Sequence, residues 1–119
     1  MQAEIIHKAG MESYVRSAGS QKIENERDIL DILGYCGEIH SNRIMLLEQQ
    51  LSDEFFRLST GLLGAVFQKL SNYRVKTAIV ISFENIRSAR FSELIYEINH
   101  GNQIRFFKDI TNAEQWLTA

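Results

Sequence analysis

The chain has 119 residues, 45% hydrophobic and 24% charged, a balance that suits one globular domain spanning residues 1–119 and argues against disorder. Lys plus Arg total 13 and Asp plus Glu 15, so 13 − 15 leaves −2, the wrong sign for a dedicated nucleic-acid module. No basic region followed by an apolar run opens the chain, no apolar stretch approaches the ~20 residues of a membrane helix, and the single cysteine, Cys36, has no internal partner; the expectation is a cytoplasmic protein.

Glu4–Lys8 and Ser13–Ser17 read as two short strands around the turn Ala9-Gly10-Met11, most simply a hairpin. Ile29, Leu30, Ile32, Leu33 and Cys36 include the i, i+3, i+4, i+7 set of an amphipathic helix, with Asn25 as N-cap, Glu26 and Asp28 in the first turn and Gly37 closing the last. Arg43–Leu47 is a continuous apolar run, as expected of a strand covered on both faces. One helix through Ser52–Tyr73 would run roughly 33 Å, against about 17 Å for a five-residue strand, so a break is expected at Leu58-Ser59-Thr60-Gly61. That divides the stretch into a short helix over Asp53–Arg57 and a longer one starting near Ser59 or Thr60, which buries Leu62, Leu63, Val66, Phe67 and Leu70.

Lys76–Ile81 is a second buried-type strand. Ser88 caps a helix whose Phe91, Leu94, Ile95 and Ile98 repeat the helical set, with Gly101 beyond its end. Gln103–Phe107 reads as the last strand, and Thr111-Asn112-Ala113-Glu114 as a capping box opening a terminal helix with Trp116 and Leu117. The order β-β-α-β-α-β-α-β-α predicts an α/β fold whose sheet is mixed, mostly parallel, with an antiparallel edge and right-handed crossovers.

The segment Leu58-Ser59-Thr60-Gly61-Leu62-Leu63-Gly64, lying after one buried strand and before another, resembles the Asp-Ser-Ser-Gly-Leu-Gly segment of the STAS (anti-anti-sigma-factor) domain, which has this element order. A closer likeness is to an uncharacterised bacterial family of the STAS-like group, domain of unknown function 4180. The matching text is Phe55-Phe56-x-Leu58-Ser59-Thr60-Gly61-Leu62, Gln68-Lys69, Asn72–Lys76, Ala78-Ile79-Val80 and Ile95-Tyr96-Glu97-x-Asn99-x-Gly101. The STAS likeness implies protein–protein interaction, with phosphorylation control at the first serine of the segment, here Ser59. Three departures stand out: Leu58 replaces the acidic residue, Thr60 replaces the second serine, and Leu63 separates Leu62 from Gly64.

Two readings are open for Ser59, Thr60 and Gly61: a helix cap with no regulatory role, or a phosphoacceptor or anion site at a helix N-terminus. Gly61 and Gly64 read as points of close packing between that helix and the sheet, since neither Gly-x-Gly-x-x-Gly nor Gly-x-x-x-x-Gly-Lys occurs. Cys36 reads as a buried inert thiol, and His7, His40 and His100 are isolated, with no second ligand at metal spacing. Glu48 follows a strand at its carboxyl end, where open α/β sheets bind ligands; with Ser59 and Thr60 it forms a candidate pocket, beside the plainer reading of a solvated loop residue. Arg74, Lys76, Arg87 and Arg90 read as a dispersed, solvated surface. Phe55, Phe56, Phe67, Phe91, Trp116 and Leu117 read mostly as core, with a surplus for self-association.

These observations assign no catalytic residue, metal or cofactor. They point to a non-catalytic STAS-like module, self-associating or bound to a protein partner through the face around Ser59, with no nucleic-acid or membrane partner and an unknown ligand. The alternative is a small-molecule-binding protein or minor enzyme, with a pocket near Glu48 and Ser59 at the strand C-terminal ends.

Overall fold

The structure, a computed structural model, describes every residue except Arg87, and of Asn85 the backbone alone. Five strands form one sheet in the sequence order β1 (Ala3–Ile6), β2 (Tyr14–Ser17), β3 (Arg43–Leu47), β4 (Lys76–Val80) and β5 (Ile104–Phe107). The hairpin pairs β1 antiparallel to β2, from Ala3 opposite Ser17 to Ile6 opposite Tyr14. The other three pairings are parallel, with Ile44 beside both Val15 and Thr77, and Thr77 beside Ile104. The expected α/β architecture with a mixed, mostly parallel sheet is therefore what forms.

Side-chain alternation divides the sheet into two unequal faces. Val15, Ile44, Leu46, Ile79, Ile104 and Phe106 point into the larger core, where helices α1 (Glu26–Ile39), α2 (Asp53–Phe56), α3 (Leu62–Asn72) and α4 (Ala89–Ile98) pack on them through Ile32, Phe55, Val66 and Phe91. Tyr14, Met45 and Ala78 point the other way and, among the described residues, are covered by the single helix α5 (Ile110–Leu117), through Ala113 and Leu117. Consecutive parallel strands joined by crossovers of one hand place every intervening helix on one face, which is why only the terminal helix reaches the other.

Caps set most helix ends. Asn25 accepts from the Asp28 amide at 3.2 Å and Ser88 from the Phe91 amide at 3.3 Å, as their positions before apolar-periodic runs predict. Three ends differ from the sequence reading. Helix α1 runs through Gly37 and stops at His40, which takes the left-handed conformation at φ 53°, while the Ser41 amide reaches back to the Cys36 carbonyl. Helix α5 starts at Ile110 with Asp109 as its N-cap, not at the Thr111–Glu114 box: the Asp109 carboxylate accepts from the Asn112 amide at 2.8 Å, so Thr111 already lies inside the helix and Glu114 is released for other partners. Helix α3 starts at Leu62, beyond the expected Ser59 or Thr60, for a reason that belongs to the candidate site. Phe67, expected in the core of α3, is half-buried, with its ring 6.3 Å from that of Phe106.

Candidate functional site

The break in the long helical pattern occupies five residues. Helix α2 ends at Phe56, Leu58–Thr60 form a single 3-10 turn, and Gly61 turns the chain into α3 at φ +76° and ψ 0°. A left-handed residue costs an L side chain about 1 kcal/mol or more, and glycine almost nothing, so Gly61 is where the turn is feasible. Close packing is not its purpose: a β-carbon at Gly61 or at Gly64 would meet nothing within 4 Å, which overturns the expectation that these glycines let α3 approach the sheet.

Thr60 serves the turn itself. Its hydroxyl donates backwards to the Glu54 and Arg57 carbonyls, at 2.7 and 2.9 Å, and accepts from the Leu62 amide at 3.3 Å. Both carbonyls already accept a backbone amide, from Arg57 and Thr60 respectively, so the hydroxyl shares its one proton as an added bond that ties the end of α2 to the turn, and it also assists the start of α3. Ser59 is different: it is exposed, and among the described residues its hydroxyl makes no hydrogen bond within the chain.

Ser59 lines a depression of about 560 Å³ together with Phe56, Arg57, Leu58, Ser88 and Arg90. The two sides of this depression come from distant parts of the chain and meet because Phe56 packs on Phe91, 5.6 Å between ring centroids, while Phe91 stacks edge-on against Phe106 at 6.1 Å. That aromatic chain fixes the α2 turn beside the start of α4. Two arginines therefore share this depression with two hydroxyls, and one of these, Ser88, caps the N-terminus of α4, where the helix dipole favours negative charge. Arg57 makes only a 3.8 Å contact with exposed Glu54, and Arg90 has no ion pair among the described residues. The sequence reading placed Arg90 on a dispersed surface and did not single out Arg57; no local signal joins them, since only the fold makes them neighbours. Arg87, grouped with Arg90 in that reading, lies outside the described residues.

Glu48 is placed elsewhere. It opens a short 3-10 turn at the end of β3 and lines a cleft of about 450 Å³ at the carboxyl ends of β3, β4 and β5, with Val80, Ser82, Glu84 and Lys108. One carboxylate oxygen accepts from the Ser82 amide at 3.2 Å. Ser59 and Thr60 do not line this cleft, so the polar constellation expected of the three residues separates into two sites.

Other titratable groups serve the fold. Lys76, read as a solvated residue, lies on β4 beneath α5: its ammonium donates to the Trp116 carbonyl at 2.7 Å and sits 4.5 Å from the Trp116 ring centroid. Arg43 donates to the Leu117 carbonyl at 2.9 Å. The sheet thus supplies the cations for the C-terminal end of α5, whose own last turn has none. Burial, together with the nearby Arg43 and Arg105 charges, lowers the Lys76 pKa. On the same face the Tyr14 hydroxyl donates to Glu114 at 2.7 Å and Lys8 pairs with it at 2.9 Å, holding that carboxyl below the usual carboxylate range. Burial first, and then Glu114, raises the Tyr14 pKa.

Another depression, about 650 Å³, lies at the opposite end of the strands between α1 and the β3 and β4 starts. Cys36 on its lining is 5% exposed, and burial pushes its thiol up to about 11, so it is held protonated and unreactive. His7 and His100 are engaged with the Ser13 hydroxyl and the Tyr96 carbonyl, each at 2.7 Å, and His40 closes α1. Among the described residues no three of His, Cys, Asp and Glu gather at metal spacing, and no helix is long and apolar enough to cross a membrane.

Neither a curated protein nor a solved structure matches the chain. One family model does, and it extends over residues 8–117, from the β1–β2 turn to the last residue of α5, taking in the Ser59 depression and the strand-end cleft alike. The chain therefore belongs to the family known as Domain of unknown function (DUF4180).

Proposed function

We propose that the protein is a non-catalytic interaction module of STAS-like type, working in the bacterial cytoplasm and recognising an acidic or phosphorylated segment of a protein partner through the face around Ser59. The observation that carries this reading is the depression in which Arg57 and Arg90 flank the Ser59 and Ser88 hydroxyls beside half-buried Phe56 and exposed Leu58. Guanidinium groups next to apolar surface, Arg57 held only by a 3.8 Å contact with exposed Glu54, suit a protein segment carrying carboxylates or phosphate, because bidentate charged hydrogen bonds supply orientation and the apolar rim supplies area. The element order and the place of the Ser59 segment between two buried strands favour the STAS-like grouping. The protonated, solitary Cys36 thiol suits a reducing compartment.

Phosphorylation of Ser59 itself would add ~1.5–2 negative charges to the same depression and occupy its arginines, which makes the serine a switch in this reading. The test is affinity capture from the native cytoplasm with the wild type, Ser59→Asp and the double variant Arg57→Glu/Arg90→Glu. The wild type retains a specific partner, the double variant loses it, and Ser59→Asp recovers less of it. The same partner recovered equally by all three proteins would refute the proposal.

A further inference from the structure

The cleft at the strand ends lies where the chain changes faces. The connection leaving β4, through Phe83–Asn85, leads to α4 on the four-helix face; the connection leaving β5, through Lys108 and Asp109, leads to α5 on the other. Adjacent parallel strands whose following connections depart to opposite faces leave a crevice outside their carboxyl ends, and open α/β sheets bind ligands there. Here the crevice has a volume of about 450 Å³, within the few hundred Å³ typical of small-molecule sites.

Its lining specifies a kind of ligand. Leu47, Val80 and Ile110 form an apolar surface, with Ile110 41% exposed. Glu48 and Glu84 bring carboxylates to the rim and Lys108 an ammonium, and among the described residues none of these three takes part in an ion pair. Glu48 is held by the Ser82 amide through one oxygen, which fixes the carboxylate and leaves the other oxygen available. Lys108 lies 5.4 Å from the Phe83 ring centroid, a contact that orients the ammonium and consumes none of its donors. A purely anionic ligand would meet two carboxylates, and a purely cationic one would meet Lys108.

We propose that this cleft binds a small amphipathic zwitterion of the amino-acid class, its ammonium on Glu48, its carboxylate on Lys108 and its apolar side chain on Leu47, Val80 and Ile110. The site is independent of the Ser59 face and stands or falls separately from it.

The experiment is a titration of the isotope-labelled protein, followed by amide NMR, with L-leucine, isoamylamine and 4-methylpentanoate as three separate probes. L-Leucine is expected to move the amides of residues 47–49, 80–84 and 108–110 saturably, and each single-charge probe to bind about tenfold more weakly or worse, the equivalent of one charged hydrogen bond. Glu48→Gln keeps an acceptor for the Ser82 amide and so preserves the turn, yet is expected to weaken L-leucine about tenfold; Lys108→Met does the same from the carboxylate end. Failure of L-leucine to shift those amides saturably, an amine that binds as tightly as L-leucine, or equal affinity in folded Glu48→Gln and Lys108→Met would each overturn the proposal.

Discussion

Asn99 stands in for a missing strand beside Phe106. Its carboxamide accepts from the Phe106 amide at 2.8 Å and donates to the Phe106 carbonyl at 3.2 Å, so both backbone groups of one residue on the outer edge of β5 are satisfied by a single side chain. Edge strands present unpaired backbone that invites another chain, and one residue at the end of α4 blocks that here. Asn99→Ala is expected to lose about 1–2 kcal/mol in urea denaturation. Sedimentation should also show a new concentration-dependent association. A variant as stable and as monodisperse as the wild type would show that the edge needs no cover.

Gly61 and Gly64 are predicted to respond in opposite directions to the same change. Gly61→Ala forces an L residue into φ +76° and should cost about 1 kcal/mol or more. Gly64→Ala sits in a helix with open space around the new methyl group and should gain about 0.5 kcal/mol. Thermal unfolding of the two variants side by side checks both; equal shifts of one sign would contradict the assigned backbone roles.

Glu114 links α5 to the hairpin and makes part of the stability depend on pH. Hydrogen bonds from Tyr14 and then Lys8 hold its pKa down, so the folded chain keeps this carboxylate ionised at pH values where the unfolded chain has begun to protonate it. The stabilisation is complete above the ordinary carboxylate value of about 4.3 and is lost as the pH falls through the lower folded value. Glu114→Gln should therefore be destabilised by about 1 kcal/mol at neutral pH, with the gap to the wild type closing in acid. A gap that widens as the pH drops would reverse the sign of this interaction.

Lys76→Met retains the aliphatic stem but removes the donor to Trp116 and the cation over its ring. Fluorescence-detected unfolding is expected to show a loss of about 1–2 kcal/mol, and Trp116 emission should change in the native state. Unchanged stability and emission would mean that α5 is held by Ala113 and Leu117 alone.

What the sequence made legible is local or periodic. Arg43–Leu47 and Lys76–Ile81 read as strands because burial on both faces leaves continuous apolar runs, and the strands that form are Arg43–Leu47 and Lys76–Val80; Asn25 and Ser88 read as caps because a cap bonds to its own next turn. The start of α5 was misplaced because Asp109 and Thr111 are both competent caps two residues apart, and the aspartate prevailed. Charge roles were the hardest to read. Lys76 meets Trp116 across 40 positions of sequence, and Arg57 meets Arg90 only through the Phe56–Phe91–Phe106 stack. Glu48 was legible as a strand-end residue, whereas its separation from Ser59 follows from the α2 turn packing beside the start of α4.

The interaction face is tested most directly by hydrogen exchange of the protein alone and in complex with its captured partner. Added protection is expected in residues 56–62 and 88–91, abolished in Arg57→Glu/Arg90→Glu, with little change along α1 and its neighbouring groove. Protection confined to α1 or to the strand-end cleft, with residues 56–62 exchanging as in the free protein, would contradict it.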